Sequence, residues 1–398
     1  MIDYDPFADA IIGGDPHPIY KRMRDDAPAF YLEKYDAWAL SRFEDIWNTS
    51  LDTVRFTSSK GTLPSQVLTK EQPVIPILNW VDPPDHTMLQ KMFLPLLNAA
   101  AVKKQAEMMR MAVTEFLDDL SGRDEFDVMD DLAMPLASRL IFDFVGVPPS
   151  DQPRMRECVS LLFGHDPSDG AVTEEGLRAY EEMNAYCGEL AESRRGWIEQ
   201  PNDAVSAFFQ YEQRIGRRMS KEEASIHLGM LVSGGSETIA KGVTLLIYLL
   251  HQFPEQKKQV VADPSLLLDA FQEALRYDNP TQFLCRTVAQ DVTLHGQTLK
   301  QGQGVLLLYA SGNRDEREFD RPDEFDVRRG KRRILSFSGG PHLCLGIHFA
   351  RLEVRVLMEE LLARFPDYEL DVGRARKIKT ELTKGFAELP MRLARGAA

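Results

Sequence analysis

Phe337-Ser338-Gly339-Gly340-Pro341-His342-Leu343-Cys344-Leu345-Gly346 is a glycine-rich loop that delivers one cysteine to the start of a helix. The residues that follow predict this helix from about Ile347, with Ala350, Leu352, Val354, Leu357 and Leu361 among its apolar positions. Cys344 then falls where unpaired backbone N–H groups and the positive end of the helix dipole converge, which favours a thiolate over a thiol. Gly339, Gly340 and Gly346 remove Cβ atoms from the backbone around the sulfur, as a flat ligand lying against the loop requires. Cys344 has three readings at this point: a small buried hydrophobe before a helix, a zinc site with His342 and His348, and a thiolate ligand to iron in a macrocycle. The zinc reading has three local ligands and no CxxC or second Cys/His cluster to complete it.

The 398 residues, 43% of them hydrophobic, suffice for a large core, and no Gly/Ser linker, low-complexity run or repeat divides them. One unit over 1–398 is expected. The formal net charge of −14 argues against a general nucleic-acid binder. Four cysteines, Cys158, Cys187, Cys285 and Cys344, are too few for a disulfide framework in so long a chain, and a reducing cytoplasm is the expected location. Met1-Ile2-Asp3-Tyr4-Asp5-Pro6 lacks a basic-plus-apolar targeting signal, and no run approaches the roughly 20 apolar residues of a membrane span. No membrane anchor is expected.

Apolar positions at three- and four-residue intervals predict helices over 96–121, 129–146, 173–200 and 220–253. Strand-like runs occur at Ala37-Trp38-Ala39-Leu40, Val292-Thr293-Leu294, Val305-Leu306-Leu307-Leu308-Tyr309 and Met391-Arg392-Leu393. The fold class is therefore mainly α with small β-sheets (α+β). The 220–253 helix opens with Ser220-Lys221-Glu222-Glu223, a capping box, and stops before Pro254. Its middle, Gly234-Gly235-Ser236-Glu237-Thr238, is unusual because each interior glycine costs about 1 kcal/mol against alanine. A kink that makes room for a small ligand uses the pair, and so does a close helix crossing at Gly234 with Glu237 and Thr238 facing solvent. Glu273-Ala274-Leu275-Arg276 puts a carboxylate and a guanidinium on one helix face, and Arg329 offers a second guanidinium.

These three features, in this order, resemble the signatures of the cytochrome P450 superfamily of haem-thiolate monooxygenases, and the resemblance covers nearly the whole chain. It implies haem b between the long distal helix and the cysteine-loop helix. Cys344 resembles the proximal ligand, Phe337 the aromatic beside the sulfur and Gly346 the small residue beneath the haem. Glu273 and Arg276, with Arg329 as third member, are similar to the group that braces the haem-binding loop. His342, Arg286 and His86 resemble haem-propionate partners. Gln90 stands where an arginine is frequent and brings no charge, so Lys91 is an alternative; Ser338 stands where glycine is frequent. On the distal side, the resemblance makes Gly234 and Gly235 the opening for O2, with Thr238 and Glu237 relaying protons.

The resemblance further implies electrons from a separate [2Fe–2S] ferredoxin with its NAD(P)H-dependent reductase, since no redox module is fused to the chain. Arg328-Arg329-Gly330-Lys331-Arg332-Arg333 is either a solvated charge run or, through Lys331, Arg332 or Arg333 with Lys91, a docking patch for that acidic partner. The substrate pocket should draw on the 55–80 loop, the 160–175 region, Leu231, Gln282, Phe283, Leu284 and the turn at Phe386, with Gln282 and Ser233 as orienting donors. These mostly apolar residues suit a small or medium apolar molecule: a terpenoid, an aromatic, a fatty acid or a steroid. Phe283 and Leu284 also read as plain core residues. A monomer in the cytoplasm is expected.

Overall fold

The structure, a computed structural model, describes residues 2–70, 77–162, 173–199, 201–330, 332–378 and 380–393. The helices that carry candidate residues, or pack against those that do, are α1 (Asp85–Leu97), α2 (Ala106–Ser121), α3 (Met134–Val145), α4 (Glu174–Arg194), α5 (Lys221–Gln252), α6 (Leu267–Tyr277) and α7 (Ile347–Arg364). Short strands alternate with them: β1 (Ala29–Leu32), β2 (Ala37–Leu40), β3 (Phe56–Thr57), β4 (Glu125–Asp127), β5 (Leu284–Val288), β6 (Val292–Leu294), β7 (Gln297–Leu299), β8 (Gly304–Leu307), β9 (Glu369–Leu370), β10 (Arg376–Lys377), β11 (Phe386–Glu388) and β12 (Pro390–Arg392). No helix among the described residues is long and apolar enough to cross a membrane.

Local chemistry explains where the elements depart from apolar periodicity. The expected 96–121 helix is interrupted because Asn98 accepts from the N–H groups of Ala100 and Ala101, capping a short helix at Ala99–Lys103 before α2 begins. A π-helical turn at Val128–Ala133 precedes α3, and α4 stops at Arg194 rather than near 200. The strand expected over 305–309 ends at Leu307, and Tyr309 opens a short helix. The capping box of α5 forms: Ser220 N–H donates to Glu223 Oε2 (2.8 Å) and Glu223 N–H to Ser220 Oγ (3.1 Å).

The described residues gather into two compact units, one of Met1–Leu89, Gln272–Cys344 and Lys379–Lys384, the other of Gln90–Phe271, Leu345–Ile378 and Gly385–Ala398. The first is built on a sheet of order β1-β2-β8-β5-β3, in which β2 and β8 pair in parallel with Ala37 opposite Gly304 and the other pairs are antiparallel. One core cluster of this unit unites Tyr20, Met23, Leu32, Ala39, Phe283, Cys285, Leu306 and Leu308. In the second unit α5 packs on α3 and α4, beside a small sheet of order β4-β12-β9. The α4–α5 crossing depends on small residues: a Cβ on Gly229 would stand 1.8 Å from Asn184 Oδ1, and one on Gly188 would stand 2.2 Å from Ser225 Oγ.

Candidate active site

In the first unit backbone bonds shape the thiol loop. Ser338 N–H donates to Leu335 O and Cys344 N–H to Phe337 O, both at 2.8 Å, and the chain then reaches Gly346, the N-cap of α7. Ser338 and Gly340 take φ of +58° and +64°. The left-handed conformation costs a serine roughly 1–2 kcal/mol, which explains why glycine suits position 338. At Gly340 a Cβ would also press on Leu51 and on Ser50 O at 3.0 Å. Cys344 is exposed, unlike Cys158, Cys187 and Cys285, which are buried.

Basic and imidazole groups gather near this loop. The rings of His86 and His342 lie 4.4 Å apart and tilted by 58°. His342 Nε2 faces Ser58 Oγ at 3.2 Å and Asp82 Oδ1 at 3.8 Å. Arg286, buried on β5, donates from Nη1 to Cys285 O at 2.8 Å. Burial, the His342 ring and Arg286 pull His86 down to about 4, against the pull of Asp82. Burial lowers His342 as well; Asp82 opposes this and Arg286 adds to it. Burial first, and Arg286 after it, disfavour the charged form of both imidazoles, and an anionic carboxylate nearby would offset this. An exposed thiol two residues from His342, whose ring lies against His86, fits haem, which needs a soft ligand for iron and hydrogen-bond donors for its two carboxylates.

Glu273 joins both arginines that the sequence offers it. Its carboxylate takes Arg276 Nε and Nη2 at 2.8 Å, Arg329 Nε at 3.0 Å and the Asp326 N–H at 3.0 Å. Arg276 also donates to the carbonyls of Asn313 (2.9 Å), Pro322 (2.7 Å) and Glu324 (3.0 Å). Burial lowers its guanidinium pKa, and Glu273 opposes that.

In the second unit α5 is helical without a break through residues 234–238, so the glycine pair marks no interruption of the helix. The two glycines differ. A Cβ on Gly235 would stand 2.6 Å from Ile141 Cδ1, so this glycine is the crossing point with α3; at Gly234 a Cβ meets nothing within 4 Å. The expectation that both open the helix is corrected for Gly235, and the close crossing expected at Gly234 falls one residue later. Between Glu223 and His251 the exposed residues of α5 are Gly234 and Thr238, one turn apart on one face of an otherwise enclosed helix. A ligand against that face would meet the backbone at Gly234 and the hydroxyl of Thr238. Glu237 is buried and ion-paired with Lys241, a partner that sequence reading missed although the i,i+4 spacing signals it.

The expected substrate contacts separate in the same way. Phe283 lies in the first unit's core, 1% exposed, and is a core residue rather than a contact. Gln282 is buried, and its amide donates to Asn279 O; its Oε1 is a buried acceptor without a hydrogen-bond partner among the described residues. Ser233 Oγ donates to Met230 O within its own helix at 3.3 Å. Leu284 is half-buried on β5, Leu231 is buried on α5, and Phe386 is buried with its ring 4.8 Å from Tyr248. Residues 71–76 and 163–172 of the expected pocket segments lie outside the described residues.

Of the basic run, Lys331 lies outside the described residues and Arg329 belongs to the Glu273 network. Arg333 is bound to Glu44 (2.6 Å) and Glu318 (2.9 Å) over the ring of Phe43, which corrects its reading as an available docking charge. Arg332 and Lys91 are exposed, and Gln90 is half-buried. His348 is exposed, and no three His, Cys, Asp or Glu side chains among the described residues gather to hold a metal ion, so the zinc reading has no ligand set. Glu353 on α7 is buried, one oxygen has no partner among the described residues, and burial pushes it up to about 8.

Comparison with known proteins adds three findings. The family profile described as Cytochrome P450 matches residues 171–392. The chain is 34% identical over 375 residues to Cytochrome P450 130 of Mycobacterium tuberculosis, covering 90% of each protein, and 28% identical over 394 residues to Cytochrome p450 CYP199A2 of Rhodopseudomonas palustris, covering 98% of this chain and 93% of that one. The solved structure of CYP109E1 from Bacillus megaterium in complex with testosterone is similar with a TM-score of 0.85 and 25% identity, over 96% of this chain and 98% of that one.

Proposed function

Because this chain belongs to the cytochrome P450 family and is a haem b monooxygenase, we propose that it inserts one oxygen atom from O2 into a small or medium apolar substrate, by hydroxylation or epoxidation. The observation that carries the reading is the pair Gly234 and Thr238, exposed together in a stretch of α5 whose other residues between Glu223 and His251 are buried or half-buried. When bound, haem supplies an iron centre whose thiolate ligand pushes electron density toward O–O cleavage. Cys344 is the residue that holds it, with Phe337 and Gly346 beside the sulfur. Arg286, His342 and His86 donate to its carboxylates, and Gln90 adds an uncharged donor. Glu273, Arg276 and Arg329 keep the segment before the loop rigid. On α5, Gly234 leaves room for dioxygen, Thr238 Oγ holds a water, and Glu237 passes protons toward that hydroxyl.

Electrons come from a separate [2Fe–2S] ferredoxin served by an NAD(P)H-dependent reductase, with Arg332 and Lys91 as the exposed charges that steer an acidic partner. The protein works as a monomer in the cytoplasm. Leu231, Leu284 and Phe386 supply apolar contact to the substrate, and the testosterone complex of CYP109E1 supports a steroid beside a terpenoid, an aromatic or a fatty acid. The test is optical: the ferrous carbon monoxide adduct should show the red-shifted Soret band of thiolate ligation, and Cys344→Ser should abolish it. A histidine-type band, or an unchanged band in the variant, overturns the assignment of Cys344. A screen for ligands that change the iron spin state then names the substrate class.

A further inference from the structure

Lys241 sits in the middle of α5 with 1% of its side chain exposed, and its ammonium is paired with Glu237, whose side chain is 9% exposed. Enclosing two charges costs several kcal/mol each before their attraction is counted, so an apolar residue at 241 would be the simpler core. Burial pulls the lysine's pKa down, and Glu237 is the group that opposes this. The backbone also closes over its stem: a Cβ on Gly385 would stand 3.1 Å from Lys241 Cγ, so a side chain at 385 would push the lysine aside. Ile378 N–H donates to Gly385 O at 3.0 Å, which ties that glycine to the strand pair β10–β11.

On α3, on β11 and in the 128–133 turn, the ionised side chains pair with one another or with groups outside α5. Arg139 and Asp143 of α3 pair with each other (2.9 Å), Glu388 of β11 pairs with Arg376 (2.6 Å), and Asp131 of the 128–133 turn pairs with Arg123 (3.0 Å). Asp130 in that turn and Glu353 on α7 are carboxyls that burial shifts toward the neutral form. Glu237 is the carboxylate paired with the lysine, one helical turn away on α5.

We propose that Lys241 is a positioning residue of the proton relay: packed against Gly385, its ammonium is the counter-charge that fixes the carboxylate of Glu237, the residue before Thr238. The proposal rests on the reading of Glu237 and Thr238 as the relay. Lys241→Met removes the counter-charge and leaves the acid enclosed, which favours its neutral form.

Infrared spectra of the haem-loaded protein at pH 7 test this without turnover. Lys241→Met should show a protonated carboxyl stretch that is lacking in the wild type and disappears in the Glu237→Gln/Lys241→Met double variant, and Lys241→Arg should match the wild type. A Lys241→Met spectrum identical to the wild type in this region overturns the proposal. Coupling of electrons to product, with a surrogate ferredoxin chain and the ligand giving the largest spin-state change, supplies the second reading. Lys241→Met should form product about tenfold more slowly, yet add nothing to the defect of Glu237→Gln. A further loss in the double variant overturns the proposal even if Lys241→Met alone does not fold. Glu237→Gln with wild-type coupling sinks the relay itself, whereas an uncoupled Glu237→Gln beside a fully coupled Lys241→Met sinks only the role of the lysine.

Discussion

Removing the carboxylate of Glu273 should do more damage than removing either arginine it binds. Arg276 is 1% exposed and Arg329 7% exposed at the side chain, so Glu273→Ala leaves two guanidinium groups facing each other in an enclosed space. Breaking one buried pair by deleting a partner costs about 3–5 kcal/mol. Two stranded cations push the figure upward, while the carbonyls of Asn313, Pro322 and Glu324 still accept from Arg276 and moderate it. The expected loss is about 4 kcal/mol, a large share of the roughly 5–15 kcal/mol available to a domain. Glu273→Gln keeps one acceptor oxygen and should cost about half as much. Urea unfolding of the haem-loaded protein, followed by far-UV dichroism and by the Soret band, measures both. Glu273→Ala/Arg329→Met removes one of the stranded cations and should lie closer to the wild type than additivity requires. If Glu273→Ala unfolds within about 1 kcal/mol of the wild type, the network is not the brace described above.

Thr238→Ala should retain haem and ligand-induced spin-state changes but divert electrons to hydrogen peroxide, and full coupling in this variant would refute the hydroxyl's role. Arg332→Glu should slow reduction by an acidic ferredoxin about tenfold at low salt and converge with the wild type at high salt; an unchanged low-salt rate removes Arg332 from the docking patch. Arg333→Glu should instead lower stability, because Glu44 and Glu318 would then face a third carboxylate. His227, buried on α5, titrates near 4, with burial as the main cause, against an unfolded value of 6.5. Between those values the unfolded chain binds the extra proton, so stability falls as pH drops, by about 2 kcal/mol from pH 7 to pH 5. Urea midpoints at the two pH values check this, and His227→Gln should flatten the dependence.

What the sequence revealed was mostly periodic or local. The capping box at Ser220, the helix from Ile347 and the face shared by Glu273 and Arg276 follow from spacings within one turn, where side chains meet without help from the rest of the fold. The strands at Ala37, Val292 and Met391 were legible because their runs are short and bounded. Properties set by distant packing were not. That Gly235 meets Ile141 while Gly234 meets nothing depends on the crossing of α3, about ninety residues earlier. Glu44 cancels Arg333 from the far end of the sequence, and Phe283 turns into a core with Tyr20 and Leu306. Lys241 is the instructive miss: its spacing from Glu237 signals a pair, but only burial turns a common surface motif into an enclosed one.

The parallel pairing of β2 with β8 has a consequence for how the protein is made. Ala37 cannot meet its partner until Gly304 has left the ribosome, so a hairpin of β1 and β2 must wait with one ladder unsatisfied while the intervening helices are synthesised. Gln90–Phe271, by contrast, is a continuous stretch that can begin to pack during that delay. Nascent chains are therefore most vulnerable to aggregation through β2, and chaperones would be needed longest at this hairpin, which is translated well before β8 and cannot close until that strand emerges.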